Sequence, residues 1–287
     1  MKTPDILSFF HEDTNTFTYL VIDPATRHAT IVDSVLDYCA ASGRTHTHAA
    51  DDVIAAVQER GLIIDWILET HVHADHLSAA PYLQEKLSGQ IAIGSHVRDV
   101  QKIFTKLFNA NGVATDGSQF GALFEDGAVF KIGELEAKAI HTPGHTPACM
   151  SYLIGDALFV GDTLFAADYG TARCDFPGGD ARALYQSIQK LFALPDSTRV
   201  FLCHDYLPEG REQYIHETTI GEEKANNIHV GHGASEDEFV KMRTERDATL
   251  SMPKLILPSV QVNMRAGHLP EPEDNGIRYI KIPVDAV

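Results

Sequence analysis

Apolar residues in this chain come in short runs, and several of those runs end at a histidine or an aspartate. Thr18–Ile22 and Ala29–Val32 read as two strands around the turn-forming Asp23-Pro24-Ala25-Thr26. A helix follows, with Asp51 or Asp52 as its cap, Val53, Ile54 and Val57 as its apolar positions, and Gly61 as its stop. The Ile-rich stretch Leu62–Leu68 predicts a buried strand that feeds into His71, and a helix is expected from Leu77 to Leu87, ended by Gly89.

A second cycle repeats the plan. Short strands are expected at Ala128–Ile132, Leu135–Ile140, Met150–Ile154 and Ala157–Val160, separated by Gly and Asp turns. Leu184, Ile188, Leu191 and Phe192 recur at helical spacing within Ala181–Leu194, with Asp180 as the cap, and the strand Val200–Leu202 leads into His204. The two cycles imply a duplicated sandwich with helices outside two sheets. Residues 1–210 read as the catalytic domain, and 211–287 as a more highly charged C-terminal extension packed on the same core. That extension opens a helix with the capping box Ser235-x-x-Glu238. It also holds two strand-like stretches, Leu255–Leu257 and Arg278–Ile282, on either side of a loop with Asn263, Met264 and Arg265.

Composition narrows the classes. The 287 residues are 44% apolar and 22% charged, as in a soluble globular protein. The net charge of −17, from 40 acidic against 23 basic residues with no Lys/Arg run, argues against nucleic acid and anionic membranes as partners. A small anionic substrate would need local cations to offset that field. Cys39, Cys149, Cys174 and Cys203 form no CxxC pair, and no secretory signal or apolar membrane span is evident, so a cytoplasmic location is expected.

The chemistry concentrates in His71-Val72-His73-Ala74-Asp75-His76, which puts three imidazoles and a carboxylate at a strand-to-helix junction. A loop can turn several donors to one point, whereas a regular strand sends alternate side chains apart. His145 in Thr142-Pro143-Gly144-His145, Asp162 in Gly161-Asp162-Thr163 and His204 in Cys203-His204-Asp205 each follow an expected strand. Imidazole with carboxylate suits Zn(II) or Fe(II). A lone strand-end histidine is usually just a satisfied side chain. HxHxDH followed by three more such positions would require four accidents, so a metal site is the better reading. The remaining histidines, His141 among them, are read as having no metal role.

HxHxDH, then TPGH, GD and a last strand-end histidine, resembles the metallo-β-lactamase superfamily over about residues 10–210. The resemblance implies an αββα sandwich with metal at one edge of two mixed sheets. Within it, Thr171-Ala172-Arg173-Cys174-Asp175-Phe176, His204-Asp205-Tyr206 and Asn263-Met264-Arg265 are similar to elements of the persulfide dioxygenases, in the bacterial branch once named β-lactamase-like hydrolases and associated with sulfide detoxification. Cys174 stands where the family element carries Thr.

That resemblance implies one Fe(II) per chain on His71, His145 and Asp162, with glutathione persulfide and O2 as substrates. His73, Asp75, His76 and His204 then act as supporting residues, or hold a second metal. Arg173 and Arg265 would grip the anionic substrate, and Tyr206 would orient it. Cys174, beside Arg173, is a candidate persulfide carrier of lowered pKa or else a small buried residue. Relatives of this kind imply a homodimer and leave room for a rhodanese-like partner. The alternative on the same ligands is a glyoxalase II-like dinuclear zinc hydrolase of glutathione thioesters. A third reading, a persulfide-sensing binding protein, leaves the intact ligand set without a purpose.

Overall fold

The structure, a computed structural model, describes residues 2–286. The chain opens with strands β1 (Asp5–His11), β2 (Thr16–Ile22), β3 (His28–Val32), β4 (Val35–Cys39) and β5 (Arg44–His46), followed by helix α1 (His48–Arg60). Next come β6 (Ile63–Leu68), β7 (Leu77–Ser78), α2 (Ala80–Leu87), β8 (Gln90–Gly94), α3 (Val97–Leu107) and β9 (Ala122–Phe124). The second half runs through β10 (Val129–Ile132), β11 (Leu135–His141), β12 (Met150–Ile154) and β13 (Ala157–Phe159) to α4 (Ala181–Phe192). It ends with β14 (Arg199–Phe201), β15 (Glu217–Thr219), α5 (Ile220–Asn226), α6 (Glu236–Asp247) and α7 (Ile256–Asn263).

Two six-stranded sheets result, ordered β1-β2-β3-β6-β8-β9 and β10-β11-β12-β13-β14-β15. Each mixes antiparallel hairpins with parallel pairs, β3 with β6 in the first and β13 with β14 in the second. The twofold side-chain period sorts the core into layers. In β2, Tyr19 and Val21 point between the sheets, where they meet Tyr152, Phe159 and Phe201, while Leu20 points out toward α1 and α2. In β13 and β14, Leu158 and Val200 point out to Leu184, Ile188 and Leu191 of α4. The layering is αββα, as the sequence pattern and the resemblance implied.

Some local expectations needed correction. Helix α1 begins at His48 with Thr47 at its cap, and Asp51 sits in the first turn, accepting from the Thr47 hydroxyl (2.8 Å). Leu77–Ser78 pairs with β4 as a short strand before Pro81 opens α2. Leu255–Leu257 leads into a helix, α7, because a short apolar run has no period that separates a buried helix from a strand. Arg278–Ile282 forms no strand; its Ile282 is 72% exposed. Gly61, Asp180 and the Ser235–Glu238 box cap their helices as read. No helix among the described residues is long and apolar enough to cross a membrane.

Candidate metal centre

Every expected ligand sits at or just past a strand end on one rim of the sandwich, and two glycines let the rim close. Gly144 (φ +147°) passes so near α4 that a Cβ there would lie 2.3 Å from the Leu184 Cα. Gly161 (φ +50°) brings the Asp162 turn against Thr70, where a Cβ would meet the Thr70 hydroxyl at 2.5 Å.

The donor atoms fall into two adjoining groups, His71 with His145 and Asp162, and His73 with Asp75, His76 and His204, each within 4.8 Å of one another. In the first, Asp162 Oδ2 lies 3.5 Å from His145 Nε2 and 3.9 Å from His71 Nε2. In the second, His204 Nε2 lies 3.4 Å from Asp75 Oδ2 and 3.3 Å from Asp162 Oδ1, which joins the groups. Five of these buried atoms lack a hydrogen-bond partner: His71 Nε2, His73 Nδ1, His76 Nε2, His204 Nε2 and Asp162 Oδ1. Such a cluster would be costly to bury unless a cation accepted its lone pairs. Burial holds His71 well below its usual pKa and His76 at about 4, so both present the neutral imidazole a metal needs. The donor set therefore fits a metal and suits Zn(II) or Fe(II).

Side chains not foreseen in the sequence brace the ligands. Asp33, at the end of β3, accepts from the Thr70 N–H (2.7 Å) and hydroxyl (2.9 Å) and from His73 Nε2 (3.0 Å). Glu69 accepts from the Ser78 hydroxyl (2.6 Å) and lies 3.3 Å from His73 Nε2. Burial by itself would lower the His73 pKa, but the charge of Asp33 and its bonds to both carboxylates outweigh this and raise it well above normal. Asn263 ties α7 to the ligand loop, donating to the His73 (2.9 Å) and His76 (2.8 Å) carbonyls and accepting from Ser78 N–H. The only sequence signal for Asp33 was a polar residue directly after an apolar run, the same signal that marked Asp162 and His204.

His145 is oriented differently. Its Nδ1–H donates to the Arg173 carbonyl (2.8 Å). That stretch is clamped from α6, where buried Arg243 pairs with Asp247 (2.6 Å) and donates to the Thr171 carbonyl (3.0 Å), while Asp247 accepts from Cys174 N–H (2.8 Å).

A cavity of about 590 Å³ opens over the ligands, lined by His145, Asp162, Phe165, Arg173, Phe176 and Tyr206 among others. Tyr206 stacks beside His204 (5.7 Å between ring centres), is 38% exposed and lines the cavity. Arg173 lines the cavity, but its guanidinium is bound to Asp175 by two 2.6 Å bonds and to the Ser251 carbonyl. Arg265 does not reach this cavity. It borders a separate one of about 220 Å³ and donates to the Gln261 carbonyl. Cys174 is buried against α4, and burial raises its thiol pKa well above the ordinary value, so Arg173 does not activate it. His141 bonds the Pro147 carbonyl and stacks on His96, apart from the donor groups.

The metallo-beta-lactamase superfamily matches residues 12–204, and the chain belongs to it. A probable metallo-hydrolase of Burkholderia pseudomallei is 57% identical, covering 97% of this chain and 98% of that protein. Glyoxylase B2 of Dictyostelium discoideum is 52% identical (93% and 92% covered). The mitochondrial persulfide dioxygenase ETHE1 of Homo sapiens is 30% identical (88% and 84%). Among solved structures, ETHE1 from Myxococcus xanthus superposes with a TM-score of 0.73 at 32% identity, covering 92% of this chain and all of that one.

Proposed function

We propose that this protein is an Fe(II)-dependent persulfide dioxygenase. It would convert glutathione persulfide, O2 and water to glutathione and sulfite, with release of two protons on ionisation of the product, in sulfide detoxification. The observation that carries the reading is the compact face of His71, His145 and Asp162 beneath a roomy cavity, two imidazoles and one carboxylate. Such a face leaves open positions for two reactants on non-haem iron. Similarity to a persulfide dioxygenase along most of the chain supports the same reading.

Iron bound there would supply a centre where the persulfide sulfur and oxygen meet, and the chain's own residues prepare it. His71, His145 and Asp162 would hold the metal, with the Arg173 carbonyl fixing the ring of His145. Phe165 and Phe176 line the cavity beside His204 and His145 and would limit water there. Tyr206, which lines the cavity beside His204, would donate a hydrogen bond to bound substrate.

A second reading, a glyoxalase II-like dinuclear zinc hydrolase, draws on the unpartnered atoms of His73, His76 and His204, more donors than one iron requires. It also has the name of the Dictyostelium relative on its side. Oxygen uptake by iron-loaded protein on addition of glutathione persulfide separates the two. The dioxygenase gives rapid uptake with sulfite formation, abolished by His71→Ala. No uptake from protein shown to contain iron, together with thioester cleavage by zinc-loaded protein, replaces the first reading with the second.

A further inference from the structure

Five arginines are at least partly buried: Arg173, Arg199, Arg211, Arg243 and Arg265. Four of them meet a carboxylate, Arg173 with Asp175, Arg199 with Glu217, Arg211 with Asp205 and Arg243 with Asp247. Arg265 meets none within 4 Å among the described residues. Hydrogen bonds to their carboxylates raise the pKa of Arg173, Arg199 and Arg211, whereas burial, with no charge opposing it, lowers that of Arg265. A cation taken partly out of water is usually paired, so the exception needs a reason. Arg265 lies two residues past the end of α7, where a cation suits the negative helix end, and its Nη1 donates to the Gln261 carbonyl. That employs one of five N–H donors. The others meet no protein acceptor among the described residues, and the side chain borders the cavity of about 220 Å³.

This cavity is built from three segments: the end of α7, the loop after α3 (109–113) and the C-terminal stretch 270–281. Lys281 lines it too, donating to the Asn109 carbonyl (2.9 Å) and meeting no carboxylate within 4 Å among the described residues. Buried Gln261 ties the two cations to one frame. Its carbonyl accepts from Arg265, and its side-chain amide pairs with the Lys281 backbone in both directions (2.9 and 3.0 Å). Tyr279 adds a hydroxyl that accepts from Asn275 (2.6 Å) and so keeps its own proton for another acceptor. Glu271 and Glu273 also border the cavity without neutralising it. Glu271 is almost wholly exposed and pairs only with Arg278, at 4.0 Å, and Glu273 has no cation within 4 Å among the described residues. Their charge repels an extended polyanion, and the volume is below that of a site for a nucleotide or peptide. What remains is a small anion.

We propose that Arg265 and Lys281 form a binding site for a small tetrahedral oxyanion, phosphate or sulfate, that clips the C-terminal stretch onto α7. The guanidinium fork takes two oxygens, and the ammonium and the Tyr279 hydroxyl take the others. The site is separate from the metal centre and does not depend on the persulfide reading. Because one wall is a segment with no regular secondary structure, binding reads out as tighter closure of that segment.

The test follows exchange of the Lys281 amide, whose N–H donates to Gln261 Oε1, in the zinc-loaded full chain by NMR. Sodium phosphate, sodium sulfate and sodium chloride are compared at equal pH and ionic strength. At ten times the dissociation constant of the anion, opening should be suppressed about tenfold relative to chloride. Either oxyanion acting in this way supports the site, and the stronger names its occupant. Arg265→Gln should abolish the effect, Lys281→Gln should weaken binding about threefold, and Arg98→Gln, an exposed cation elsewhere, should leave it intact. An anion held at the metal centre would act alike in all variants, so the differences among them isolate this site. Thermal unfolding in chloride checks that each variant folds, and if Arg265→Gln does not, Lys281→Glu at an exposed position decides by reversing one charge. Equal Lys281 exchange in all three salts overturns the site, as does a full oxyanion effect in Arg265→Gln or Lys281→Glu.

Discussion

The two halves of the sandwich deliver their metal donors in different ways. The first half places His71, His73, Asp75 and His76 in one loop after β6, braced from beneath by the buried side chains of Asp33, Glu69 and Asn263. The second half supplies His145, Asp162 and His204 from three separate places along the chain. His145 is held by a backbone carbonyl, and the segment carrying that carbonyl is held in turn by α6. The difference teaches that support by buried charge sets ring orientation directly, whereas support through a loop makes a ligand depend on a distant helix.

The largest expected effect is at Asp33. Its carboxylate is fully enclosed, and Asp33→Ala leaves the Thr70 N–H without its acceptor and His73 Nε2 with Glu69 alone, at 3.3 Å. Breaking a buried charge pair on one side costs about 3–5 kcal/mol, and losing a supporting partner weakens metal binding by roughly 10–100-fold. Chemical denaturation and chelator competition read the two quantities. An unchanged metal affinity would mean that side-chain bracing of the first half is dispensable.

Asp247→Asn sharpens the contrast from the other side. It removes the charge paired with buried Arg243 but keeps a polar side chain beside Cys174 N–H, so a loss of about 2 kcal/mol is expected. The cost should appear as faster amide exchange over residues 171–175 and a smaller fall in metal affinity than Asp33→Ala produces. An affinity loss as large as that of Asp33→Ala would erase the distinction between the halves.

The smallest effect concerns pH. His229 Nδ1 accepts from the Thr171 N–H (2.9 Å), and burial, with the charges of Arg243 and Arg246, lowers its pKa to about 4. A depressed folded-state pKa means that its contribution is intact above 6.5 and is lost as pH falls from there through 4. Allowing for its solvent contact, that amounts to about 2 kcal/mol at most. Nearby Glu223, which burial raises to about 7, has the opposite sign, because its folded-state proton adds stability as pH falls from 7 toward 4.5. The readout must therefore be local. Protection of the Thr171 amide should fall between pH 7 and pH 5 in wild type and be pH-independent in His229→Asn. Equal protection at both pH values in wild type would remove His229 from the support of the second half.

What was legible in the sequence was what depends on short range. Short apolar runs ended within a residue of the ends of β2, β3, β6 and β10 to β14, though β1, β8, β9 and β15 were not read, and Leu184, Ile188 and Leu191 marked the face of α4 that covers the second sheet. HxHxDH gathered four donors in six residues, so their convergence needed only a loop. His145, Asp162 and His204 could be nominated because each follows a strand, and parallel pairing of β13 with β14 brings two of those ends side by side. The fate of charges was decided elsewhere. Arg173 and Arg265 looked alike as isolated cations, but one meets Asp175 at the cavity and the other turns to a separate cavity behind α7. Cys174 stands next to an arginine in the chain yet packs against α4, where burial dominates its chemistry. Asp33 and His73 are 40 residues apart, and Asn263 reaches the same loop from 190 residues away. A periodic pattern is a property of neighbours along the chain. Which charges are paired and which remain free depends on what folding brings within a few ångströms, and only the tertiary structure could decide that.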